Sequence, residues 1–210
     1  MLIHSTDYCD KITLSSLGGF IKILAKNADF SYFPEFIPHA LRKSYFTQLM
    51  TEINWQQEQL SMYGKLINIP RLQAWYGLFE YSYSGLTLKP QPLTPLLAEL
   101  KALIEQKSGQ SFNAILANCY RDQNDTVGWH SDDEPELGIN PVIASLSLGE
   151  ERNFQLKHKE TGEKLVFPLK PGSLFIMSGQ SQHYWQHCLP RTQKRKSARI
   201  NLTFRYIHSL

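Results

Sequence analysis

Cysteine is scarce in this chain. Cys9, Cys119 and Cys188 are the only three, an odd number without CxxC spacing, which argues against both a disulfide framework and a zinc–thiolate centre. No apolar run approaches the ~20 residues that span a bilayer. The opening stretch MLIHSTDYCDKITL lacks the charged-then-apolar order of a secretory leader. These absences predict an intracellular protein of the cytoplasm, or of the nucleus in a eukaryote, with no membrane partner. Excess charge of either sign is also missing: the net charge of +3 is too small to argue for a polyanionic partner by itself. Internal repeats, low-complexity tracts and obvious linkers are absent too. With 42% apolar residues in 210, the expectation is one domain over 1–210, and a monomer.

What is present divides near Gly109. Before it, Leu41, Tyr45, Leu49 and Ile53 recur every four residues after Pro38, which predicts a helix over 38–53. Thr94-Pro95 followed by Leu97, Leu100, Leu103 and Ile104, and closed by Ser108-Gly109, predicts a second. After it, FNAILANCYR, PVIASLSLG, RNFQLKH, EKLVFPLK, GSLFIMS and ARINLTFRYI follow one another between turns, the pattern of an antiparallel sandwich or barrel. Thr161-Gly162 and Pro171-Gly172 are each expected to turn a hairpin. The class is α+β, helices first and a β-core second.

The chemistry concentrates in VGWHSDDEPELG, residues 127–138. His130 and Asp132 are one residue apart, so in extended backbone both side chains leave the same face and can reach one ion. A third ligand is offered by His183 or His187 in SQHYWQHCLPR, and spacing does not choose between them. Two histidines and a carboxylate on one face are the ligand set of non-haem Fe(II) oxygenases. In the last strand, alternation puts Arg199, Asn201, Thr203 and Arg205 on one face. That face is either solvent-exposed or the wall of a lumen that grips an anion, since arginine binds carboxylates through paired hydrogen bonds. Asn118 and Tyr120 share a face in the same way. The segment RTQKRKSAR, 191–199, has five basic residues and no acid; it is either a solvated loop or a phosphate contact weakened by salt.

Taken together, PRLQAWYG, YSYSGLTLKP, NCYRDQNDTVGWHSDDEPELG, WQHCLPR and ARINLTFR resemble the AlkB-like Fe(II)- and 2-oxoglutarate-dependent dioxygenases that remove alkyl groups from nucleic-acid bases. The resemblance covers about Ile69 to Tyr206. It implies a double-stranded β-helix (jelly-roll) barrel with N-terminal supporting helices, in which 1–68 is an extension packed on a 69–210 dioxygenase core. It makes His187 the third metal ligand beside His130 and Asp132. Asn118, Tyr120, Arg199, Thr203 and Arg205 become the 2-oxoglutarate pocket, with Fe(II), 2-oxoglutarate and O2 as cofactor and cosubstrates. Tyr81, Tyr83 and Ser84 become the substrate wall on which a flipped base stacks, Asp133 and Glu134 the carboxylates that recognise an alkylated, cationic base, and Tyr63 a candidate wedge. The activity implied is oxidative removal of 1-methyladenine- and 3-methylcytosine-type lesions from DNA, with RNA as a further substrate, releasing formaldehyde, succinate and CO2. Three alternatives remain at this point: the same oxygenase chemistry on modified RNA or protein, a non-catalytic damaged-base binding module, and a zinc hydrolase, which has no use for paired arginines.

Overall fold

The computed structural model describes residues 13–17, 19–62, 64–83 and 86–208. Among the described residues strands precede the first helix: β1 (Thr13–Leu17), β2 (Phe20–Ala25) and β3 (Ala28–Phe33) come before α1 (His39–Glu52). There follow the hairpin β4 (Gln59–Met62) and β5 (Lys65–Asn68), the strand β6 (Leu72–Gly77), and the small hairpin β7 (Tyr81–Tyr83) and β8 (Leu86–Leu88). Next are α2 (Pro95–Ser108), β9 (Ala114–Tyr120), β10 (Val127–His130), β11 (Ile143–Gly149), β12 (Arg152–His158), β13 (Lys164–Leu169) and β14 (Leu174–Ser178). The single turn α3 (Ser181–Tyr184) leads to β15 (Trp185–Leu189) and β16 (Arg199–Arg205).

Two antiparallel sheets face each other. The larger has the order β1-β2-β3-β14-β11-β16-β9-β6 and the smaller β10-β15-β12-β13. This is a jelly-roll-like sandwich. The larger sheet takes in β1 to β3, so residue 69 does not mark its edge: β3 pairs with β14 from Leu174↔Phe33 to Ser178↔Asp29. Alternation in Ala28–Phe33 accounts for this, since Ala28, Phe30 and Tyr32 are buried on one face.

Both faces of the larger sheet are covered. On one side Leu49 and Ile53 of the first helical region and Leu96, Leu97, Leu100 and Ile104 of α2 pack on Ile115, Leu146, Ile200, Leu202 and Phe204. The second helix is set by local signals. The Thr94 hydroxyl accepts from the Leu97 N–H, Pro95 occupies the first turn, and Gly109 closes the helix at φ 69°. Its stripe differs by one residue from the sequence expectation: Leu96 is buried and Leu103 is exposed. In α1, Leu41 is likewise exposed. Truncating a fully buried leucine such as Leu100 to alanine costs about 2–5 kcal/mol.

The other face of the larger sheet meets the smaller one through Ile143, Phe175 and Met177 against Phe154, Leu156, Leu165 and Trp185. Thr161-Gly162 turns the β12–β13 hairpin as expected. Pro171-Gly172 does not turn a hairpin, because β13 and β14 lie in different sheets; it carries the chain across the sandwich. Gly172 sits there at φ +78°, and an added Cβ would lie 2.5 Å from Arg42 Nε and 2.9 Å from the Ile37 carbonyl, so the crossing has no room for a side chain. With helices behind and a sheet in front, every residue of β9 and β16 is buried. Their polar faces therefore point into the sandwich.

Candidate active site

At the mouth of the sandwich β10 and β15 run antiparallel, and His130 and His187 are cross-strand partners. Asp132 lies two residues beyond His130, and one ligand atom from each of the three falls within 4.8 Å of the others. The His130 Nδ1 lies 2.8 Å from the Gly128 carbonyl. A proton on Nδ1 donated to that carbonyl leaves Nε2 as the free lone pair, the arrangement that orients metal-binding imidazoles. Burial, reinforced by His130, pushes His187 down to about 3, which keeps its ring in the neutral form a metal requires. Burial acts to raise the Asp132 carboxyl, but Arg205, His187 and His130 overcome it and hold the group below the usual carboxylate range.

Asp132 is fixed from two directions. Its backbone N–H donates to Gln182 Oε1 at 2.9 Å, and Arg205 Nη2 donates to its Oδ1 at 2.8 Å. Next to it the Ser131 hydroxyl donates to the Trp185 carbonyl. The turn α3 thus clamps the segment after β10. The same turn carries His183 to the surface, where its ring packs on Tyr184, outside the cluster.

Behind the triad a narrow cavity is lined by Asn118, Tyr120, Ser145, Arg199, Asn201, Thr203 and Arg205. The register explains the grouping: Arg199↔Tyr120 and Asn201↔Asn118 are paired between β16 and β9. Arg199 is 2% exposed, its Nη2 donates to Ser147 Oγ at 2.8 Å, and its guanidinium lies 5.3 Å from the Tyr120 ring centre. Burial pushes Arg199 down to about 10. Asn201 donates to Ser145 and Thr203 to Asn201. Asn118 Oδ1 accepts from Arg71 Nε at 2.8 Å and from Gln73 Nε2 at 3.1 Å. The polar face of β16 is thus not solvent-exposed, and its two arginines serve different partners at opposite ends of the strand.

This donor set suits the groups that the ligand pattern suggests. Arg199 Nε and Arg205 Nε and Nη1 are buried without a hydrogen-bond partner. Buried guanidinium donors left unpaired are costly, and a dianion entering the cavity would satisfy them. One carboxylate and two imidazoles suit a divalent metal with positions left open.

A wider cleft of about 750 Å³ opens in front of the triad, lined by Leu60, Ile67, Arg71, Tyr81, Trp129, Glu134 and the first two triad residues, large enough for a small aromatic ligand. Tyr81 is buried, stacked on Trp75 with ring centres 4.6 Å apart, and lies 5.2 Å from the Arg205 guanidinium. Glu134 shares a hydrogen bond with Tyr81, and burial and the nearby Asp132 raise its carboxyl; Glu134 Oε2 is buried and unpartnered. Asp133 turns outward and pairs with Lys159 at 3.3 Å. Tyr83 lies on β7 opposite Leu86. Ser84 and Tyr63 fall outside the described residues. In the basic segment Arg191, Lys194 and Arg195 are exposed, while Lys196 pairs with Glu150 at 2.7 Å.

Four site residues escaped the sequence reading. Ser145 and Ser147 alternate in PVIASLSLG just as the β16 residues do, so a signal existed. Arg71 and Gln182 had none, because their partners lie 47 and 50 residues away.

Comparison with known proteins decides the lineage. Residues 29–205 match the 2OG-Fe(II) oxygenase superfamily, and the chain is 37% identical to DNA oxidative demethylase ALKBH2 of Mus musculus over 78% of its length and 70% of that protein's. The chain belongs to the AlkB-like 2OG-Fe(II) dioxygenases. It is also similar to alpha-ketoglutarate-dependent dioxygenase alkB homolog 3, at 42% identity with the Bos taurus protein over 83% of this chain and 42% with the Homo sapiens protein over 77%. It spans 65% and 60% of those two relatives' lengths. A solved structure of OsALKBH1 shares the fold, with a TM-score of 0.59 at 17% identity, covering 87% of this chain and 99% of that one. The family implies Fe(II), 2-oxoglutarate and O2. Among the described residues no helix is long and apolar enough to cross a membrane.

Proposed function

We propose that this chain is an oxidative demethylase that removes N-alkyl lesions of the 1-methyladenine and 3-methylcytosine type from DNA, with RNA as a further substrate. The products are the repaired base, formaldehyde, succinate and CO2. The observation that carries the reading is one of continuity. His130 and Asp132 line both the arginine-bearing inner cavity and the outer cleft, so a cosubstrate and a base can meet at one ion from opposite sides. Kinship with proteins named DNA oxidative demethylase supports the same substrate class.

In this reading His130 Nε2, an Asp132 oxygen and His187 hold the metal, which when bound with 2-oxoglutarate and O2 supplies the oxidation of the N-alkyl carbon. The chain's own residues do the positioning. Arg199 binds the far carboxylate of 2-oxoglutarate, steadied by Tyr120 and Ser147, while Asn118, Thr203 and Arg205 complete the pocket. A target base must leave its stack to reach so recessed a site. Tyr81, held against Trp75, forms one wall for it, with Tyr83, Ser84 and the wedge Tyr63 assigned to the same approach. Glu134 offers its unpartnered oxygen to the exocyclic amino group, and Asp133, paired with Lys159, acts from the rim. Arg191, Lys194 and Arg195 meet phosphates. We further infer that the sandwich closes as a double-stranded β-helix within one domain over 1–210, with 69–210 as its catalytic part, and that the enzyme is a monomer working inside the cell, where iron stays reduced. A zinc hydrolase would leave the buried Arg199 without a role.

Incubation with Fe(II), ascorbate and 2-oxoglutarate, followed by mass spectrometry, tests the proposal on 1-methyladenine and 3-methylcytosine in single- and double-stranded DNA and RNA. Loss of the mass of one CH2 (N–CH3 replaced by N–H) with matching formaldehyde is expected. No demethylation on any of the four forms, with metal binding confirmed, would sink it.

A further inference from the structure

The outer face of the smaller sheet has no place in the chemistry above, yet its composition is unusual. None of β10, β12, β13 or β15, which read VGWH, RNFQLKH, KLVFPL and WQHCL, contains an aspartate or glutamate. Lys157 and Lys164 are directly opposite each other in the β12–β13 ladder. Like charges so placed destabilise a hairpin, and neither lysine forms an ion pair among the described residues. Gln186, opposite Lys157 on β15, and Val166, two residues beyond Lys164, extend this face. At its β10 end stands Trp129, 40% exposed, with the Lys157 ammonium 5.2 Å from its ring centre. Trp129 also lines the outer cleft, so the face runs without a break into the place assigned to the target base.

We infer that this sheet face, Trp129 with Lys157 and Lys164, is a track for the single-stranded polynucleotide that flanks the target base. The inference rests on the nucleic-acid reading above and extends it from one base to its strand. Trp129 stacks a neighbouring base and the two lysines neutralise successive phosphates, the combination that binds single strands without reading sequence. A polyanion accounts for two facing lysines with no carboxylate, and an aromatic at the cleft's lip selects a strand with unstacked bases over other polyanions.

Fluorescence anisotropy of a labelled 15-nucleotide single strand, read across a salt series, tests this on the full chain. Trp129→Ala is expected to weaken binding by about tenfold, the worth of one lost stack, and Trp129→Phe to restore most of it. Lys157→Gln/Lys164→Gln, both surface changes, is expected to lower the slope of log affinity against log salt by about 1.4, at about 0.7 per phosphate contact on a single strand. In turnover, the advantage of a methylated 15-mer over a methylated trinucleotide should shrink by a similar factor in each variant. Wild-type demethylation with affinity, slope and length advantage all unaltered in the variants would overturn the track and leave the activity standing. Strand binding that depends on these residues in a protein that demethylates nothing would uphold the track and overturn the activity. Equal losses for heparin and the oligonucleotide in Trp129→Ala would overturn the stacking assignment.

Discussion

The pairing of Arg205 with Asp132 makes a prediction that can be worked from the structure. The two are 4% and 3% exposed and joined at 2.8 Å, so Arg205→Met removes the cation and leaves a buried carboxylate beside it. Breaking one side of a buried ion pair costs about 3–5 kcal/mol. In a domain of this size each kcal/mol moves the melting temperature by about 2–4 °C, so in EDTA the variant should melt roughly 6–20 °C below wild type. Two further measurements separate this cause from simple loss of packing. Saturating Mn(II), which gives Asp132 a new cation, should close most of the gap. The double variant Asp132→Asn/Arg205→Met, which has neither charge, should melt above Arg205→Met in EDTA, since removing both members of a buried pair costs less than removing one. Differential scanning fluorimetry in both buffers reads all of this. A loss below about 1 kcal/mol, or a gap indifferent to Mn(II) with the double variant no better, would refute the reasoning.

Two other expectations concern the groups that bind. His187→Ala should abolish the change in the Mn(II) resonance signal on binding, whereas His183→Ala, altering an exposed side chain, should bind Mn(II) like wild type; the reverse would show that α3 rather than β15 carries the third ligand. Arg199→Gln should raise the KM for 2-oxoglutarate by an amount equivalent to about 2–5 kcal/mol with a much smaller change in kcat, as measured by succinate formation at varied 2-oxoglutarate; an unchanged KM would remove Arg199 from the cosubstrate pocket.

How far the sequence revealed this arrangement depended on how local the determining forces are. The α2 caps were legible because Thr94, Pro95 and Gly109 act on atoms within four residues of themselves. The polar alternation of β16 was equally visible. Its direction was not, because which face is buried depends on α2 and on the smaller sheet, both far away in sequence. His183 and His187 illustrate the same limit. Three residues lie between them, and only the turn at Ser181–Tyr184, held by contacts to Asp132 and Trp185, sends one outward and the other onto His130. The strands β1 to β3 were missed because FIKILA and ADFSYF are short, and their place in the sheet is set by β14, more than 140 residues later. Family resemblance chose His187 where spacing left the choice open.

The division of labour along β16 gives the site an electrostatic consistency that neither end has alone. Arg205 neutralises Asp132 while Arg199, six residues away along the strand, keeps a donor free. Residues so spaced are about 20 Å apart in extended backbone, too far for both to clasp one five-carbon diacid symmetrically. In the proposed function they divide the charges: Arg205 Nη2 holds the carboxylate that ligates the metal, Arg199 takes the far carboxylate of the cosubstrate, and Arg205 Nε and Nη1 are left for its near end. A divalent cation and a dianion entering together leave the formal charge of the buried cavity unaltered, whereas either alone changes it by two units in a medium where such changes are expensive. Electrostatics therefore couples the two loads, and the unpartnered nitrogens of Arg199 and Arg205 are the structural trace of that coupling: donors held in place, at a cost, for an anion whose charge the metal balances.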